Sequence, residues 1–316
     1  MKILLSTCTY QDTPGEHHDL LNGTGWEVVC ERGPLTEERM LELAGEFDAF
    51  ICGDDLISRA VIEKSLPKLK VISKYGIGVD KIDVAFATEK GIPVLFTPGV
   101  NHTTVAEHTF ALILAVAKNI PEAVARTRGG EWFRPTGIEL WKKNIGIVGL
   151  GRIGVEVARR ANGFQMGVHG FGNYWPEAEA KEFSIERHDD IGSLAEAVDI
   201  LSLHTKLTEN SHHMINSEVL GRMKKGSVLI NCGRGELVDQ DAVIAALDSG
   251  RLAGYAADVL DIEPAPAGHP LVNHPKAIIT PHIGSRTFES VPRQAVKATR
   301  NLINCISGEG DFEQVN

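Results

Sequence analysis

The stretch KKNIGIVGLGRIGVEVARRAN, residues 142 to 162, carries the most informative local pattern of the chain. Its beginning, KKNIGIV, has the apolar character of a buried strand, and its end, RIGVEVARRAN, has the spacing of an amphipathic helix. Between them, Gly149, Gly151 and Gly154 form the pattern G-x-G-x-x-G. Glycines at this junction allow a tight turn, close approach of phosphate and close helix–strand packing, so that backbone amides can hold a pyrophosphate. The stretch therefore predicts a nucleotide-binding unit.

Apolar runs suited to buried strands alternate with amphipathic segments along the chain. The first hundred residues contain KILLS, DAFIC, KVIS and IPVLF, and the remainder contains NIGIVG, GVHGF, DILSLH, SVLINC, GYAADV and AIIT. Such alternation is typical of α/β units whose parallel sheets are covered on both faces. We predict an α/β protein with two Rossmann-like, doubly wound parallel-sheet domains and a cleft between them.

Two long helices are predicted where the halves of the chain join. One begins near Thr103 and is closed by Pro121, and the other runs from about Arg286 to Ile306. A chain of 316 residues favours two domains. Because the last helix can return the chain to the first half, we predict a discontinuous, flavodoxin-like substrate domain of residues 1–99 and 286–316. Residues 100–285 are predicted to form a dinucleotide-binding Rossmann domain.

Composition excludes several kinds of partner. The chain has 32 basic and 42 acidic residues and a net charge of -10, so no general basic field attracts nucleic acid or an anionic membrane. No apolar run approaches the roughly 18 residues of a membrane helix, and the start MKILLSTCTYQDTPG indicates a strand rather than a signal peptide. We expect a cytoplasmic location, with no nucleic-acid or membrane partner.

The cysteines and paired histidines do not predict a metal site. The five cysteines are widely spaced and include no C-x-x-C pair, which favours free thiols in a reducing compartment. The adjacent histidines at 17–18 and 212–213 lie in polar stretches without further ligands at suitable spacing. No metal is therefore predicted. The cysteines are Cys8, Cys30, Cys52, Cys232 and Cys305.

The end of the second strand of the nucleotide unit bears on the choice between NAD and NADP. An NAD site normally places an acid there to bind the ribose hydroxyls, but MGVHGFGNYWPE offers Gly172 and Asn173, with no carboxylate before Glu177. An uncharged strand end tolerates the additional phosphate of NADP. No arginine follows directly to bind that phosphate, and Arg152 is the nearest candidate. The residues at this strand end therefore do not decide between NAD and NADP as the cofactor.

Four motifs, in this order, resemble the successive signatures of D-2-hydroxyacid dehydrogenases: GLGRIG, NCGRGELVDQDAVIAAL at 231–247, DVLDIEP at 258–264 and TPHIGS at 280–285. In addition, KYGIGVDKID at 74–83 and VAEHTFALILA at 105–115 resemble the phosphoglycerate dehydrogenase branch. The resemblance covers most of the chain. It implies an NAD(P)-dependent oxidoreductase that transfers a hydride between the nicotinamide and a small D-2-hydroxy or 2-oxo acid. It also implies a homodimer.

The resemblance implies that Arg234, Glu263 and His282 are catalytic. The planar guanidinium of Arg234 suits a substrate carboxylate and the carbonyl beside it. The imidazole of His282 suits proton exchange with the substrate oxygen near neutral pH. Glu263 would orient that imidazole and favour its protonated form.

The family pattern also implies binding residues for cofactor and substrate. Lys74 stands where phosphoglycerate enzymes use an arginine toward phosphate, but the preceding loop offers Asp54 and Asp55, which repel phosphate. We therefore expect a small 2-hydroxy acid other than 3-phosphoglycerate, with 3-phosphoglycerate as the second candidate. The predicted substrate residues are Lys74, Tyr75, Gly76, Ile77 and Gly78. The predicted cofactor residues are Gly149, Gly151, Arg152, Ile153, Gly154, Asn173, His204, Thr205, Cys232, Asp258 and Gly284.

Two other functions compete with this prediction. A formate-like dehydrogenase would release hydride without an alcohol proton, but that branch pairs its histidine with glutamine, whereas Glu263 and Pro281 favour the hydroxyacid branch. A nucleotide-sensing binding protein, like the transcriptional corepressors that share these motifs, is the third alternative. No interaction tail is predicted beside the fold, which disfavours it.

Overall fold

The chain divides into two compact units, Met1–Asn101 with Arg286–Asn316, and His102–Ser285. A computed structural model describes residues 1–316. The first unit is thus assembled from two separate pieces of chain, whereas the second is continuous.

The first unit is built on a five-stranded parallel sheet in the order β2-β1-β3-β4-β5, the order of flavodoxin-like folds. All four residues of the third and fourth strands are buried, because helices cover both faces of the sheet. The strands are β1 Lys2–Leu5, β2 Glu27–Cys30, β3 Ala49–Cys52, β4 Val71–Lys74 and β5 Val94–Leu95. The helices are α1 Cys8–Asp12, α2 Glu16–Asn22, α3 Glu37–Leu43, α4 Arg59–Ser65 and α5 Val84–Glu89.

The second unit is built on a seven-stranded parallel sheet in the order β12-β11-β10-β9-β6-β7-β8. The chain adds β7 and β8 on one side of β6, and then adds β9 to β12 on the other side. The β6–β9 junction is therefore the point at which the strand order reverses, where open α/β sheets bind ligands. The strands are β6 Asn144–Val148, β7 Gly167–Phe171, β8 Glu186–Arg187, β9 Ile200–Leu203, β10 Ser227–Asn231, β11 Leu252–Ala257 and β12 Ala277–Ile279. The helices are α6 His102–Ala117, α7 Ile120–Arg128, α8 Arg152–Gly163, α9 Glu177–Glu182, α10 Ile191–Ala197, α11 Ser217–Arg222, α12 Gln240–Asp248 and α13 Pro270–Asn273, with a short 3-10 helix at Gly235–Leu237.

The last helix, α14 Ser290–Ser307, completes the core of the first unit. Its buried Val291, Ala295 and Leu302 belong to the apolar cluster that also contains Ile3 and Leu5 of β1. Two buried hydrogen bonds fix it there: the Thr299 hydroxyl lies 2.8 Å from that of Tyr10, and the Ser73 hydroxyl donates to the Ala298 carbonyl at 2.9 Å. The last helix therefore returns to the sheet formed by the start of the chain.

The predicted α/β class with two parallel sheets is confirmed, but details differ from the sequence prediction. Strands β2 and β8 were missed because both lie at sheet edges and lack a buried apolar run. Pro121 was expected only to close a helix, yet it occupies the first turn of α7, where its missing N–H costs nothing. The last helix begins at Ser290, four residues later than expected. No helix combines the length and apolar character needed to cross a membrane.

Candidate active site

The loop between β6 and α8 has the geometry that its glycines predict. Gly149 has a φ of 92°, and a Cβ there would lie 2.8 Å from the backbone of His204 and Thr205. A Cβ on Gly154 would lie 2.1 Å from the Gly149 carbonyl oxygen. In contrast, a Cβ on Gly151 would meet nothing within 4 Å. The loop is thus tightly packed on the protein side and open at Gly151, where a phosphate group can approach the first turn of α8.

A cleft of about 590 Å³ opens beside this loop. Gly151, Arg152 and Tyr174 contribute to its lining. The Glu156 carboxylate also lines it but is paired with Arg159 at 3.3 Å and with Arg160 at 2.6 Å. Burial raises the pKa of Glu156, but the hydrogen bonds and charges of Arg160 and Arg159 outweigh burial and leave the pKa lowered. The open glycine and the exposed Arg152 fit the phosphates of a dinucleotide, and Ile153 packs inward against the apolar core.

Three further predicted cofactor residues follow the carboxyl ends of β9 and β10. His204 follows β9, and its Nε2 atom lies 2.8 Å from the Ser202 hydroxyl. Burial lowers the pKa of His204 to about 3, so its ring is neutral at physiological pH. Thr205 is half-buried beside it. Cys232 follows β10, and burial raises its pKa to about 12, which keeps it a thiol rather than a reactive thiolate.

Asp258, just after β11, holds the loop that carries His282. Its carboxylate accepts hydrogen bonds from the Thr280 hydroxyl at 2.6 Å and from the amides of Ile283 at 2.9 Å and Gly284 at 2.6 Å. His108 of α6 lies 3.3 Å away through Nε2. Burial raises the pKa of Asp258, but the hydrogen bonds from His108 and Thr280 outweigh burial and leave the pKa lowered.

These contacts give Asp258 a structural role that the sequence did not predict, because both carboxylate oxygens bind groups of the chain itself. Its assignment to the cofactor stays a prediction. His108 was not predicted as a site residue, although it lies in the VAEHTFALILA motif. The available signal was a histidine close to the apolar run of α6.

His282 and Glu263 form a hydrogen-bonded pair. The Nδ1 atom of His282 lies 2.7 Å from Glu263 Oε2, while Glu263 Oε1 accepts the Leu260 amide at 2.9 Å. The His282 backbone has a φ of 54°, a left-handed conformation that is uncommon outside glycine. Its amide donates to the Asp258 carbonyl at 2.9 Å, which helps to hold this conformation. Both side chains are about one-third exposed and can therefore meet a bound molecule.

Arg234 lies in the loop that follows β10. The buried Asn231 fixes this loop, because its amide donates to the Arg234 carbonyl at 2.8 Å and its Oδ1 accepts the Gly233 amide at 3.0 Å. A Cβ on Gly235 would lie 2.0 Å from the Leu260 carbonyl carbon. The Arg234 loop therefore packs directly on the backbone that leads to Glu263. The second unit thus brings the loops of all three predicted catalytic residues to the carboxyl edge of its sheet.

The predicted substrate loop lies in the first unit, at the carboxyl end of β4. The Lys74 side chain is only 4% exposed, and its ammonium group lies 2.6 Å from Asp54 and also binds the Gly53 carbonyl. Asp55 is buried and has a structural role, since its carboxylate accepts the Leu35 amide at 2.7 Å and the Gly53 amide at 2.9 Å. The positive charge of Lys74 is therefore balanced by Asp54.

The remainder of this loop combines one buried residue with an exposed tip. Tyr75 is buried, and burial raises its pKa, so it stays a neutral phenol. Gly76 has a φ of 136°, and its amide donates to the Thr97 hydroxyl at 2.9 Å. Ile77 is 39% exposed, and Gly78 is partly exposed.

The second unit carries a glycine loop at the reversal point of its parallel sheet, and a histidine–carboxylate pair and an arginine on the loops that follow β10, β11 and β12, an arrangement that suits nicotinamide-dependent dehydrogenases. Residues 110–284 match the family described as D-isomer specific 2-hydroxyacid dehydrogenase, NAD binding domain. The chain belongs to this family of oxidoreductases, which act on a CH–OH group with a nicotinamide dinucleotide. The family resemblance noted in the sequence is confirmed.

Individual relatives include enzymes with two kinds of substrate. The chain is 42% identical to a glyoxylate reductase of Thermofilum pendens over 87% of this chain and 83% of that protein. It is 40% identical to a D-3-phosphoglycerate dehydrogenase of Methanocaldococcus jannaschii over 90% of this chain, but the match spans only 54% of that protein. The structure of a glyoxylate reductase from Paecilomyes thermophila superposes with a TM-score of 0.85 at 29% identity, covering 100% of this chain and 98% of that one.

Proposed function

We propose that the chain interconverts a small, unphosphorylated 2-oxo acid and the corresponding D-2-hydroxy acid, with Arg234, Glu263 and His282 as its active residues. The observation that carries the proposal is the 2.7 Å contact between His282 Nδ1 and Glu263 Oε2, on a loop network that also holds Arg234. An imidazole oriented by a carboxylate is a suitable general acid and base for a carbonyl–alcohol pair.

Each of the three residues has a distinct role in this proposal. During reduction, His282 donates a proton to the substrate carbonyl oxygen, and during oxidation it removes that proton. Arg234 binds the substrate carboxylate through parallel N–H donors and polarises the adjacent carbonyl. Glu263 acts through His282, because its carboxylate fixes the ring and balances the imidazolium charge. A bound nicotinamide supplies or accepts the hydride at the substrate carbon.

The preference for an unphosphorylated acid is supported by the Lys74–Asp54 pair. Lys74 is the cation of the proposed substrate loop, residues 74–78 in the first unit, which we assign as the substrate domain. Its ammonium group is buried and already bound to a carboxylate at 2.6 Å. A phosphate would have to compete with Asp54 for this charge and would be repelled by it. A short, singly charged oxo acid such as glyoxylate meets no such competition.

We further propose that NADPH is used at least as well as NADH. Gly172 and Asn173 leave the end of β7 uncharged, so no carboxylate directly follows the strand to repel a 2′-phosphate. Arg152 and Arg159 line the adjacent cleft, where the Glu156 charge is compensated by two arginines and Glu179 is the one other acid.

A homodimer that forms through the second unit is supported by its exposed apolar surface. Helix α7 has no buried residue, and the segment 120–141 exposes large apolar side chains that a partner would cover. These are Ile120, Val124, Trp132, Ile138 and Trp141. Five free cysteines support a reducing, cytoplasmic location. Light scattering of the purified chain should give the mass of a dimer, and Val124→Lys should shift it toward the monomer. A monomeric wild-type chain would contradict the proposal.

The test of the proposed function is a panel of initial rates. NADH and NADPH oxidation would be followed with glyoxylate, hydroxypyruvate, pyruvate and 3-phosphohydroxypyruvate, using His282→Gln as the inactive control. We expect turnover of an unphosphorylated acid, with NADPH at least equal to NADH. Selective turnover of the phosphorylated acid would overturn the substrate assignment. Oxidation of formate, or cofactor binding without turnover of any oxo acid, would favour one of the competing functions instead.

A further inference from the structure

A second cluster of potential ligands lies away from the catalytic residues, on one face of the β7–β8 sheet edge. His169 of β7 and Glu186 of β8 are direct neighbours in the parallel register. His188 follows Glu186 by two residues and therefore projects to the same face. Their side chains converge: His169 Nδ1 lies 3.0 Å from His188 Nε2 and 3.6 Å from Glu186 Oε2.

Two of the three separations match the coordination of one tetrahedral ion. With metal–ligand bonds of about 2.0–2.1 Å, separations of 3.0 and 3.6 Å correspond to ligand–metal–ligand angles of about 95° and about 120°. These angles bracket the tetrahedral value. The three potential ligand atoms all lie within 4.8 Å of one another. A separation near that limit exceeds the roughly 4.2 Å that one ion can bridge with such bonds, so the Glu186 side chain, which is 69% exposed, has to rotate inward to complete the site.

The surroundings orient the two rings for such a role. His169 is 9% exposed, so its ring is held by the sheet. The Nδ1 atom of His188 lies 3.4 Å from the Ser193 hydroxyl, an outer contact that directs Nε2 toward His169. Lys224 is a nearby cation that opposes metal binding, but it is paired with Asp199 at 3.4 Å. Glu186 supplies the negative charge that a divalent ion requires.

We propose that His169, Glu186 and His188 bind one Zn²⁺ ion at the β7–β8 edge. Two imidazoles and one carboxylate form a donor set that suits zinc, with water in the fourth position. Each neutral ring offers the nitrogen that faces its neighbour, and the proton now shared between the rings moves to an outer nitrogen. The ion ties the two-residue strand β8 to β7 and so stabilises this sheet edge. The sequence analysis predicted no metal, because the ligands lie on separate strands whose register cannot be read from spacing.

The test measures metal binding and needs no turnover, so its failure is distinct from failure of the proposed dehydrogenase function. Chelator-treated full-length protein would be titrated with ZnCl₂ by calorimetry and with Co²⁺ by visible absorption. We expect one ion per chain, a tetrahedral Co²⁺ spectrum, and a rise in Tm of several degrees in excess zinc.

Variants locate the ion. His188→Gln and Glu186→Gln should each weaken zinc binding by at least about tenfold and abolish the rise in Tm. His212→Gln removes one member of a stacked histidine pair, with ring centroids 3.9 Å apart, and should leave binding unchanged. Wild-type turnover by His188→Gln would show that it is folded.

Three results would overturn the proposal. The first is no zinc binding by the wild-type protein at micromolar concentrations. The second is binding that His188→Gln does not weaken. The third is binding that is lost in His282→Gln, which would place the ion at the catalytic histidine.

Discussion

The imidazole of His282 and the carboxylate of Glu263 meet at 2.7 Å although they come from different loops of the second unit. The Leu260 amide fixes the other Glu263 oxygen at 2.9 Å, and the Asp258 carbonyl accepts the His282 amide at 2.9 Å. Both partners of the pair are thus held by the chain before any substrate binds. Such preorganisation keeps the reorganisation cost of a proton transfer low.

Glu263→Gln should impair turnover more than substrate binding. Glutamine keeps the shape of the side chain but loses the charge that orients the ring, so we expect kcat to fall by about 10- to 100-fold with little change in KM. The pH–rate profile should also change, which a purely structural role would not cause. Asp261→Asn, a change to a nearby acid of the same loop, is the matched control and should behave as wild type. An unaltered profile in Glu263→Gln would contradict the role proposed for Glu263.

Arg234→Lys should severely impair turnover, although the substitution keeps the positive charge. Lysine lacks the planar fork that binds a carboxylate through two parallel bonds. We expect kcat/KM for the oxo acid to fall by about 10³-fold, equivalent to about 4 kcal/mol of transition-state stabilisation. Steady-state kinetics with Arg251→Lys as control would measure the difference. Comparable values for the two variants would remove Arg234 from the substrate site.

Asp258→Asn should loosen the His282 loop. Loss of a buried charge that accepts two backbone amides should lower the free energy of unfolding by about 1.5–3 kcal/mol at neutral pH. Because the pKa of Asp258 is lowered in the folded state, its contribution is present above the unfolded value near 3.9 and is lost as pH falls through the folded value. Urea unfolding should therefore show a gap between variant and wild type that closes in strong acid. A gap that is constant with pH would contradict this account.

His204 should make the second unit sensitive to mild acid. Its folded pKa is lowered to about 3, so below an unfolded value of about 6.5 the unfolded chain binds a proton that the folded chain does not. Stability is unaffected above that value and falls by up to about 1.4 kcal/mol per pH unit below it. Urea unfolding at about pH 7.5 and pH 5 should show that the free energy of unfolding falls less between these two pH values in His204→Gln than in wild type. The exposed change His212→Gln should leave the loss unaltered, and equal losses in wild type and His204→Gln would refute the assignment.

Asn173→Asp should shift cofactor use toward NADH. A carboxylate after β7 repels the 2′-phosphate of NADPH and can accept hydrogen bonds from the ribose hydroxyls of NADH. We expect kcat/KM with NADPH to fall by about tenfold or more, an effect of at least about 1.4 kcal/mol, while the value with NADH is maintained. The NADH rates are the internal control for folding. Equal changes with both cofactors would show that residue 173 does not contact the adenosine ribose.

The predictability of the fold depended on burial. Fully buried strands such as β3 and β10 produce continuous apolar runs and were predicted, whereas β2 and β8 lie at edges and half of their side chains or more face solvent. Helix α7 was missed for the same reason, since none of its residues is buried. Only elements whose side chains are buried in the core need a regular apolar pattern. Elements that bury few side chains lack this pattern and are therefore hard to predict from the sequence.

Site residues could be predicted from the sequence where they lie in short continuous motifs. The glycine loop and the three catalytic candidates lie in short signatures and were named from sequence. The Lys74–Asp54 pair, the anchoring role of Asp258 and its contact with His108 depend on distances between elements far apart in the chain. The cluster of His169, Glu186 and His188 depends on strand register in the same way. Such pairings are set by tertiary packing, which spacing along one chain does not encode.

The return of α14 to the first sheet has a consequence for the order of folding during synthesis. Val291, Ala295 and Leu302 fill the same apolar cluster as Ile3 and Leu5, so the first unit lacks part of its core until residue 302 has been translated. The second unit, which is continuous in sequence, has all its core residues earlier. Because domains fold as units once their residues are available, the unit that is begun first should be the last to reach its native state. Until then its growing chain exposes apolar surface, and this is the interval in which the nascent protein is a natural client for chaperones.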